Sequence, residues 1–463
     1  MDIKDILKKD FPKALETLTA DPKEKDKDIQ ANRDAYNGKH AILSDPLRAT
    51  KTVGDSSENT RVVKHTKEII PFQKRIVNSA VTFLFGEPVT LILNDDNTDA
   101  YDAIAAVWKQ NKLDYFNKAL ARDLFVECKA AELWYVPAEE IKGQPARIRV
   151  TLLSNREGYK FYPHYSDTGD MDAFTVLYDS LDDNGKTQEN VNIYTADQIV
   201  RATKKSGGQW ESIPGANLIG KIPVVYYEQD VPEWSGVETQ IERMEYLISN
   251  FADTNDYFAA PALELKGIVT NLPKKEDTGK VFMVQPETDA EGKVYYPGGI
   301  EFKAWANAPD AIRLEMDTLK DIIYSMTNTP DLSFSNVKGL SNLSGISIRL
   351  MFSDALFKAK DKQEVFGTAM ERRLSIMKSI IAITDRSKAA QLAEVDIDVV
   401  FNDVLPQDTL ALIQSLSVAR GGEAIMSEES AVRMNPLVTD AEKDIEILAG
   451  EKSQIQSWAG SYA

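Results

Sequence analysis

The chain has 463 residues, 43% of them hydrophobic, and carries 54 Lys and Arg against 72 Asp and Glu, a formal net charge of -18. That length allows roughly two to four domains, and the acidic balance excludes a protein that grips nucleic acid across a broad basic face, though not one that surrounds it without gripping. The single cysteine, Cys128, excludes an internal disulfide framework and fits a reducing compartment; Met1-Asp2-Ile3-Lys4-Asp5 lacks the basic-then-apolar pattern of a signal peptide, and no run of ~18 apolar residues is present to span a membrane.

Residues 1–59 read as a partly flexible N-terminal arm, because Asp21 to Asp28 mixes Pro22 with alternating charges and Gly54 to Asn59 reads as a loop. Ile69, Phe72, Ile76, Val77, Ala80, Phe83 and Leu84 then recur at helical spacing, and Gly86-Glu87-Pro88 ends that helix. A second helical stretch is predicted from about Thr98 to Ala131, on Ile104, Val107, Trp108, Leu113, Phe116, Leu120, Leu124 and Phe125. From Leu133 to Tyr227 the period shortens toward two. Residues 133–136, 146–152, 174–178, 191–194 and 222–227 are predicted strands, with Asn184-Gly185 as a type I′ hairpin turn.

After Trp234 the chain turns strongly helical. Val237, Ile241, Met244, Ile248 and Phe251 follow a 4-3-4-3 spacing, the seam of a long packed helix that Pro261 ends. Its other faces carry Glu238, Glu242, Glu245, Asp253 and Asp256 against Arg243 alone. A β-like excursion follows, with Val281 to Val284 and Val294 to Tyr296 around Gly-rich turns. Pro309 then stands at the first position of another helix, in which Ile312, Met316, Leu319, Ile323 and Met326 repeat the seam. Two matched rods bracketing a small β insert suggest a protruding hairpin with a β tip, not a globular enzyme core. Asp331 to Ser344 is rich in Ser, Asn and Gly, with Lys338 its one cation against Asp331. A loop of ~14 residues without structure of its own is uncommon and tends to be functional. Ile346 to about Thr384 reads as a long helix with a candidate bend at Gly367, and Val395 to Phe401 as a strand. The C-terminus reads as helices over Asp408 to Arg420, from near Ser427, and from the capping box Thr439-Asp440-Ala441-Glu442.

No Walker A, G-x-S-x-G or H-E-x-x-H pattern occurs. His40, His65 and His164 are isolated from one another in sequence and read as surface or hairpin histidines. Cys128, beside Phe125 on an apolar helix face, reads as a buried structural thiol. Asp95-Asp96-Asn97 and Asp182-Asp183-Asn184-Gly185 lack EF-hand spacing and read as turns. No catalytic residue, metal site or cofactor is expected. The acidic residues of the first rod have two readings of equal weight, a solvated helix face and a functional surface.

Several blocks stand in a telling order: Ile76-Val77-Asn78 to Phe83-Leu84-Phe85-Gly86-Glu87-Pro88-Val89; Ile222-Pro223-Val224-Val225-Tyr226-Tyr227, then Glu233, Ser235 and Ser249-Asn250-Phe251-Ala252-Asp253-Thr254; Leu340 to Leu350 around Leu343-Ser344-Gly345-Ile346-Ser347; and Ile425 to Glu429 with Asn435 to Glu446. Over roughly residues 60 to 450, this order resembles the portal, or head-to-tail connector, proteins of tailed double-stranded-DNA bacteriophages, in their long-tailed, siphophage-like branch.

The resemblance implies an α+β, predominantly helical fold with a wing, a two-helix stem, a β-containing clip and a helical crown. The N-terminal arm would be 1–59, the wing 60–234 and 345–403, the stem 235–262 and 309–330, the clip 263–308, a tunnel loop 331–344 and the crown 404–463. It implies a homo-oligomeric ring, usually dodecameric in the family, at one capsid vertex of the virion, assembled in the host cytoplasm, with no catalytic residues of its own. Double-stranded DNA would pass through it without sequence specificity during packaging and ejection. The implied partners are a terminase motor, tail-adaptor proteins, and capsid and scaffolding proteins, with no membrane. On this reading Asn336, Lys338, Leu340, Ser341 and Asn342 belong to the tunnel loop, and Glu238, Glu242, Glu245, Asp253 and Asp256 line the channel. Ile241, Met244, Ile248, Leu319 and Ile323 pack within and between subunits. An acidic wall suits sliding, because DNA carries one charge per ~1.7 Å and a basic lining would hold it at every step, whereas carboxylates repel it over a screening length of ~8 Å. The rivals are a monomeric scaffold or adaptor with a helical hairpin arm, and a metal-dependent hydrolase, which needs a convergent carboxylate cluster that the sequence does not display.

Overall fold

A computed structural model describes residues 10–20, 26–53, 61–137, 147–182, 184–205, 208–258, 262–271, 282–288, 290, 292–296, 298–303, 309–332, 345–405, 409–421, 425–435, 437–438 and 441–460. The chain opens with helices α1 (Phe11–Leu18), α2 (Asp26–Tyr36) and α3 (Ala41–Ser44) and the ribbon of β1 (Lys51–Val53) with β2 (Arg61–Val63). Helix α4 (Phe72–Phe85), strand β3 (Thr90–Leu93) and helices α5 (Thr98–Gln110) and α6 (Leu113–Glu127) follow. Strands β4 (Lys129–Tyr135), β5 (Arg149–Leu153), β6 (Lys160–Tyr165), β7 (Met171–Leu181), β8 (Thr187–Tyr194), β9 (Gln198–Lys205), β10 (Trp210–Ala216) and β11 (Val224–Glu228) lead to α7 (Glu238–Phe258). Strands β12 (Ala262–Lys266), β13 (Ile268–Asn271), β14 (Met283–Gln285), β15 (Glu287–Thr288), β16 (Val294–Tyr296) and β17 (Gly299–Lys303) precede α8 (Pro309–Met326). The remainder is α9 (Gly345–Met351), α10 (Ser353–Thr384), α11 (Ala389–Glu394), β18 (Ile397–Val400), α12 (Thr409–Arg420), α13 (Glu428–Met434) and α14 (Ala441–Gly460). This is a mixed α+β chain.

Residues 1–330 with 357–402 form one compact unit, and 331–356 with 403–463 a second. The first is layered by strand alternation, since successive side chains of a strand point to opposite faces. In the three-stranded sheet β11-β4-β5, Ala130, Trp134, Val225 and Tyr227 face a core of α4, α5, α6 and α10, while Ala131, Leu153 and Val224 face the other way. There they meet Phe161, Phe174, Val176 and Tyr194 of the five-stranded meander β10-β9-β8-β7-β6. The far face of that meander, with Ala173, Val191, Ile193 and Val200, is covered by Ala14, Leu15 and Leu18 of α1. Residues 11–18 and 26–36, expected to belong to a partly flexible arm, are therefore helices, and α1 closes a hydrophobic layer. In the second unit, α13 is capped by Ser427, whose Oγ accepts the Ser430 N–H, and Glu428 pairs with both Arg420 and Lys452.

Several elements differ from the sequence expectation. The stretch from Thr98 to Ala131 is broken twice, at Lys112 and Cys128, both left-handed with φ of 51° and 64°. A non-glycine residue in that region costs roughly 1–2 kcal/mol. It persists here because Asn111 Nδ2 bonds Val107 O and Ile148 O, and because residues 129–133 already pair with Val224–Glu228. Cys128 is buried as expected, but at the end of α6 and not on its face. The turn after β7 is not a two-residue type I′ turn: the Gly185 N–H donates to Asp182 O, and positive φ falls on Gly185 and not on Asn184. Strand β3, unrecognised in the sequence, pairs antiparallel with β18. The long helix expected from Ile346 breaks at Phe352, and Gly367 lies inside unbroken α10. The capping box at 439–442 begins outside the described residues.

Among the described residues, the β insert contains three antiparallel ribbons, β12 with β17, β13 with β14, and β15 with β16. Gly267 joins the first two at φ +108°, where a Cβ would stand 2.5 Å from Gln285 O, so only glycine fits.

Glu127 makes stability pH-dependent. Its carboxylate, buried at the end of α6, accepts the Asn155 and Arg156 N–H groups at 2.7 and 2.9 Å. Burial, reinforced by the neighbouring Asp123 charge, outweighs those donors and pushes its pKa up to about 7 from an ordinary 4.5. The folded chain thus holds a proton that the unfolded chain has lost between those values, so stability falls as pH rises across that window, by at most about 1.4 kcal/mol per pH unit. Glu127→Gln is expected to flatten this slope in urea denaturation at stepped pH. Identical slopes in both chains would contradict the assignment.

Candidate functional site

Helix α7 has 21 residues and is about 32 Å long. Its seam enters the main core: Ile241 and Met244 are buried and Ile248 is half-buried, alongside Ile323, fully buried, and Leu319, half-buried, from α8. An Arg243–Glu315 ion pair of 2.7 Å ties the two helices, and Tyr324 of α8 packs edge-on to Phe72 with Arg75 over its ring. Just before α7, buried Glu233 pairs with Lys358 and Lys362 of α10 at 2.7 and 2.5 Å. The two lysines outweigh the effect of burial and hold its carboxyl below the usual range.

The acidic residues of α7 divide into two groups. Glu238, Glu242 and Asp256 are exposed, the first accepting the Gly236 N–H. Glu245 is buried and Asp253 half-buried, because residues 40–48 and 65–70 lie along that face of the helix. Their contacts fall on Glu245, Tyr246, Ser249, Asn250 and Asp253, which share one face at helical spacing. Glu245 bonds His40 Nδ1 and the Ile70 N–H; Tyr246 donates to Asp45; Ser249 Oγ accepts the Glu68 N–H. Arg48, itself buried, donates to Asn250, to Asp253 at 3.0 Å and to Thr66 O. Asp253 also accepts the Thr66 N–H at 2.7 Å and faces His65 Nδ1 at 3.3 Å. Burial opposes the Asp253 charge, but these donors outweigh it and hold its carboxyl below the ordinary value.

Of the two expected lining residues bonded by residues 40–48 and 65–70, Glu245 is buried within this chain and Asp253 keeps part of its surface. His40, expected at a surface, is buried as well. His164 lies in β6, its Nδ1 bonded to Asp172 of β7. No local sequence pattern pairs His40, Arg48 or His65 with a helix some two hundred positions later. The residues expected for a tunnel loop, Asn336, Lys338, Leu340, Ser341 and Asn342, lie outside the described residues. Among the described residues there is no group of three His, Cys, Asp or Glu side chains that could hold a metal ion, and no helix is long and apolar enough to cross a membrane.

The family described as "Phage portal protein, SPP1 Gp6-like" matches residues 15–457. No curated protein matches the chain. Among solved structures, one chain of "Virion of native gene transfer agent (GTA) particle" is 9% identical, with 87% of this chain and 91% of that chain covered and a TM-score of 0.41. A likeness that low carries no weight for the fold.

Proposed function

This chain belongs to the SPP1 Gp6-like phage portal protein family, and from that premise we propose that its copies form a ring, a dodecamer, at one capsid vertex and that double-stranded DNA passes through it during packaging and ejection. The family match across residues 15–457 is the observation that carries this reading. The family is structural, and the chain neither hydrolyses nucleotide nor cleaves DNA. Packaging energy comes from a terminase motor docked on the clip, residues 263–308, where tail-adaptor proteins later bind. Helices α7 and α8 form the stem, residues 60–234 and 345–403 the wing, and 404–463 the crown.

Exposed Glu238, Glu242 and Asp256 give the channel wall its carboxylates, which repel the duplex and let it slide. Leu314 of α8, 69% exposed, and Met326, 68% exposed, supply apolar surface for a neighbouring copy. The segment Asp331 to Ser344 is the tunnel loop, in which Lys338 offers one weak, screened phosphate contact per subunit. Negative-stain microscopy of the purified full chain is the direct test. Rings with a central hole are expected, and a purely monomeric population would overturn the reading.

A further inference from the structure

We propose that the outer edge of β18 takes an extended segment of another protein as an added strand, one whose side chains alternate between apolar and basic. Strands β3 and β18 form a two-stranded ribbon, and its hydrogen-bond phase decides what each edge presents. The Asn94 N–H donates to Asp396 O at 3.0 Å, and Ile397 stands opposite Leu93. Residues of an antiparallel pair alternate between bonded and non-bonded positions, so Asp398 and Val400, two and four residues beyond Asp396, also bond toward β3. The N–H and C=O groups of Ile397 and Val399 point away from it. The other edge of the ribbon is covered, since the Tyr101 hydroxyl of α5 donates to Leu91 O at 3.1 Å. Among the described residues, no hydrogen bond takes the outward groups of Ile397 and Val399. A row of unpaired backbone groups is a template for one more strand.

That edge lines a groove of about 800 Å³ whose other walls come from α10 and α11, with buried Leu374 and Leu392 among them. Gly367 of α10 lines it too, and a Cβ there would meet nothing within 4 Å. Glycine inside a helix is destabilising relative to alanine; here it leaves the backbone bare toward the groove, so an occupant can approach closely. The charges of the groove select those of the occupant. Lys221 Nζ donates to Ser375 Oγ at 2.7 Å and Lys378 Nζ to Val395 O at 2.6 Å, so both cations already have acceptors. Asp396 accepts from Asn94 Nδ2 at 3.2 Å. Glu371 and Asp398 are exposed and make no ion pair among the described residues. Ile397 and Val399 turn their side chains to the hydrophobic core and Asp398 to solvent. An added strand follows the same alternation, with apolar residues beside Ile397 and Val399 and a Lys or Arg beside Asp398, where opposite charges across a pair are favourable.

Titration of the full chain with a terminally blocked peptide of alternating valine and lysine tests this, with hydrogen exchange locating the contact. In the free chain the Ile397 and Val399 amides should exchange faster than those of Asp398 and Val400. Saturating peptide should slow the first pair and leave the second unchanged. Val399→Pro removes an outward N–H that no bond within the chain uses, a place where an edge strand tolerates proline. This variant should keep its thermal transition while its affinity for the peptide falls about tenfold. A peptide alternating valine and glutamate should bind the unsubstituted chain more weakly by a similar factor. Absence of binding, unchanged exchange at Ile397 and Val399, or equal affinity for the two peptides overturns the proposal. Should Val399→Pro fail to fold, Gly367→Leu, which builds into the open space of the groove, decides: loss of binding is expected, and unchanged affinity overturns it. Sedimentation supplies the last arm, because self-association of the chain that Val399→Pro abolishes would make the occupant a second copy and overturn the assignment. Binding is read on the single chain, so its outcome is separate from that of ring formation.

Discussion

Arg373→Met is expected to cost the chain about 3–5 kcal/mol of stability. Arg373 of α10 and Glu132 of β4 are both fully buried. The guanidinium meets the carboxylate in a bidentate arrangement, Nε to Oε1 at 2.9 Å and Nη2 to Oε2 at 2.8 Å. Nη1 donates to Asn117 Oδ1 at 2.8 Å, Nη2 to the Tyr227 hydroxyl at 3.3 Å, and the group stacks near Trp108 and Phe116. Burial opposes the arginine charge, and the Glu132 carboxylate more than offsets it, so Arg373 holds its proton more tightly than usual. Burial likewise keeps Tyr227 a neutral phenol. A methionine fills similar space but leaves the Glu132 charge without a partner in a dry core. The double variant Glu132→Leu with Arg373→Met removes both charges and should regain most of the loss. Chemical denaturation of the three chains measures this. A single-variant loss under about 1 kcal/mol would show that the pair is not what holds α10 against the β4 sheet.

Ile323→Asp should be nearly as damaging. Ile323 is fully buried and belongs to the same hydrophobic core as Ile241 and Met244 of α7. Truncation there to alanine costs about 2–5 kcal/mol through lost contacts and a cavity. A carboxylate adds the cost of an unpaired buried charge, so loss of the cooperative thermal transition is expected. Leu314→Asp on the same helix separates folding from assembly. Leu314 is exposed, and its replacement should leave monomer stability within about 0.5 kcal/mol. Under the proposed function it should lower the yield of rings. Full ring yield with Leu314→Asp would remove α8 from the contact between copies, and a stable Ile323→Asp chain would remove Ile323 from the core.

The sequence by itself determined the elements that local periodicity and punctuation define. Helix α4 ends at Gly86 before Pro88, α8 begins on Pro309, the seams of α7 and α8 carry Ile241, Met244 and Ile323 inward, and the short strands of the insert lie between the two helices. These are legible because hydrophobic spacing and the restricted backbone of proline act within a few residues. Tertiary structure alone decided the breaks at Lys112 and Cys128, where the Asn111 side chain and strand pairing, respectively, hold left-handed backbone that no glycine announces. It also decided the pairing of Leu93 with Ile397 and the place of α1 over the meander. The candidate site shows the same division most sharply. Glu242 and Glu245 are one turn apart with identical chemistry, yet Glu242 meets solvent and Glu245 meets His40 and the Ile70 N–H. Helical spacing states which residues share a face, but the donors that cover that face come from a distant part of the chain, and only folding brings them there.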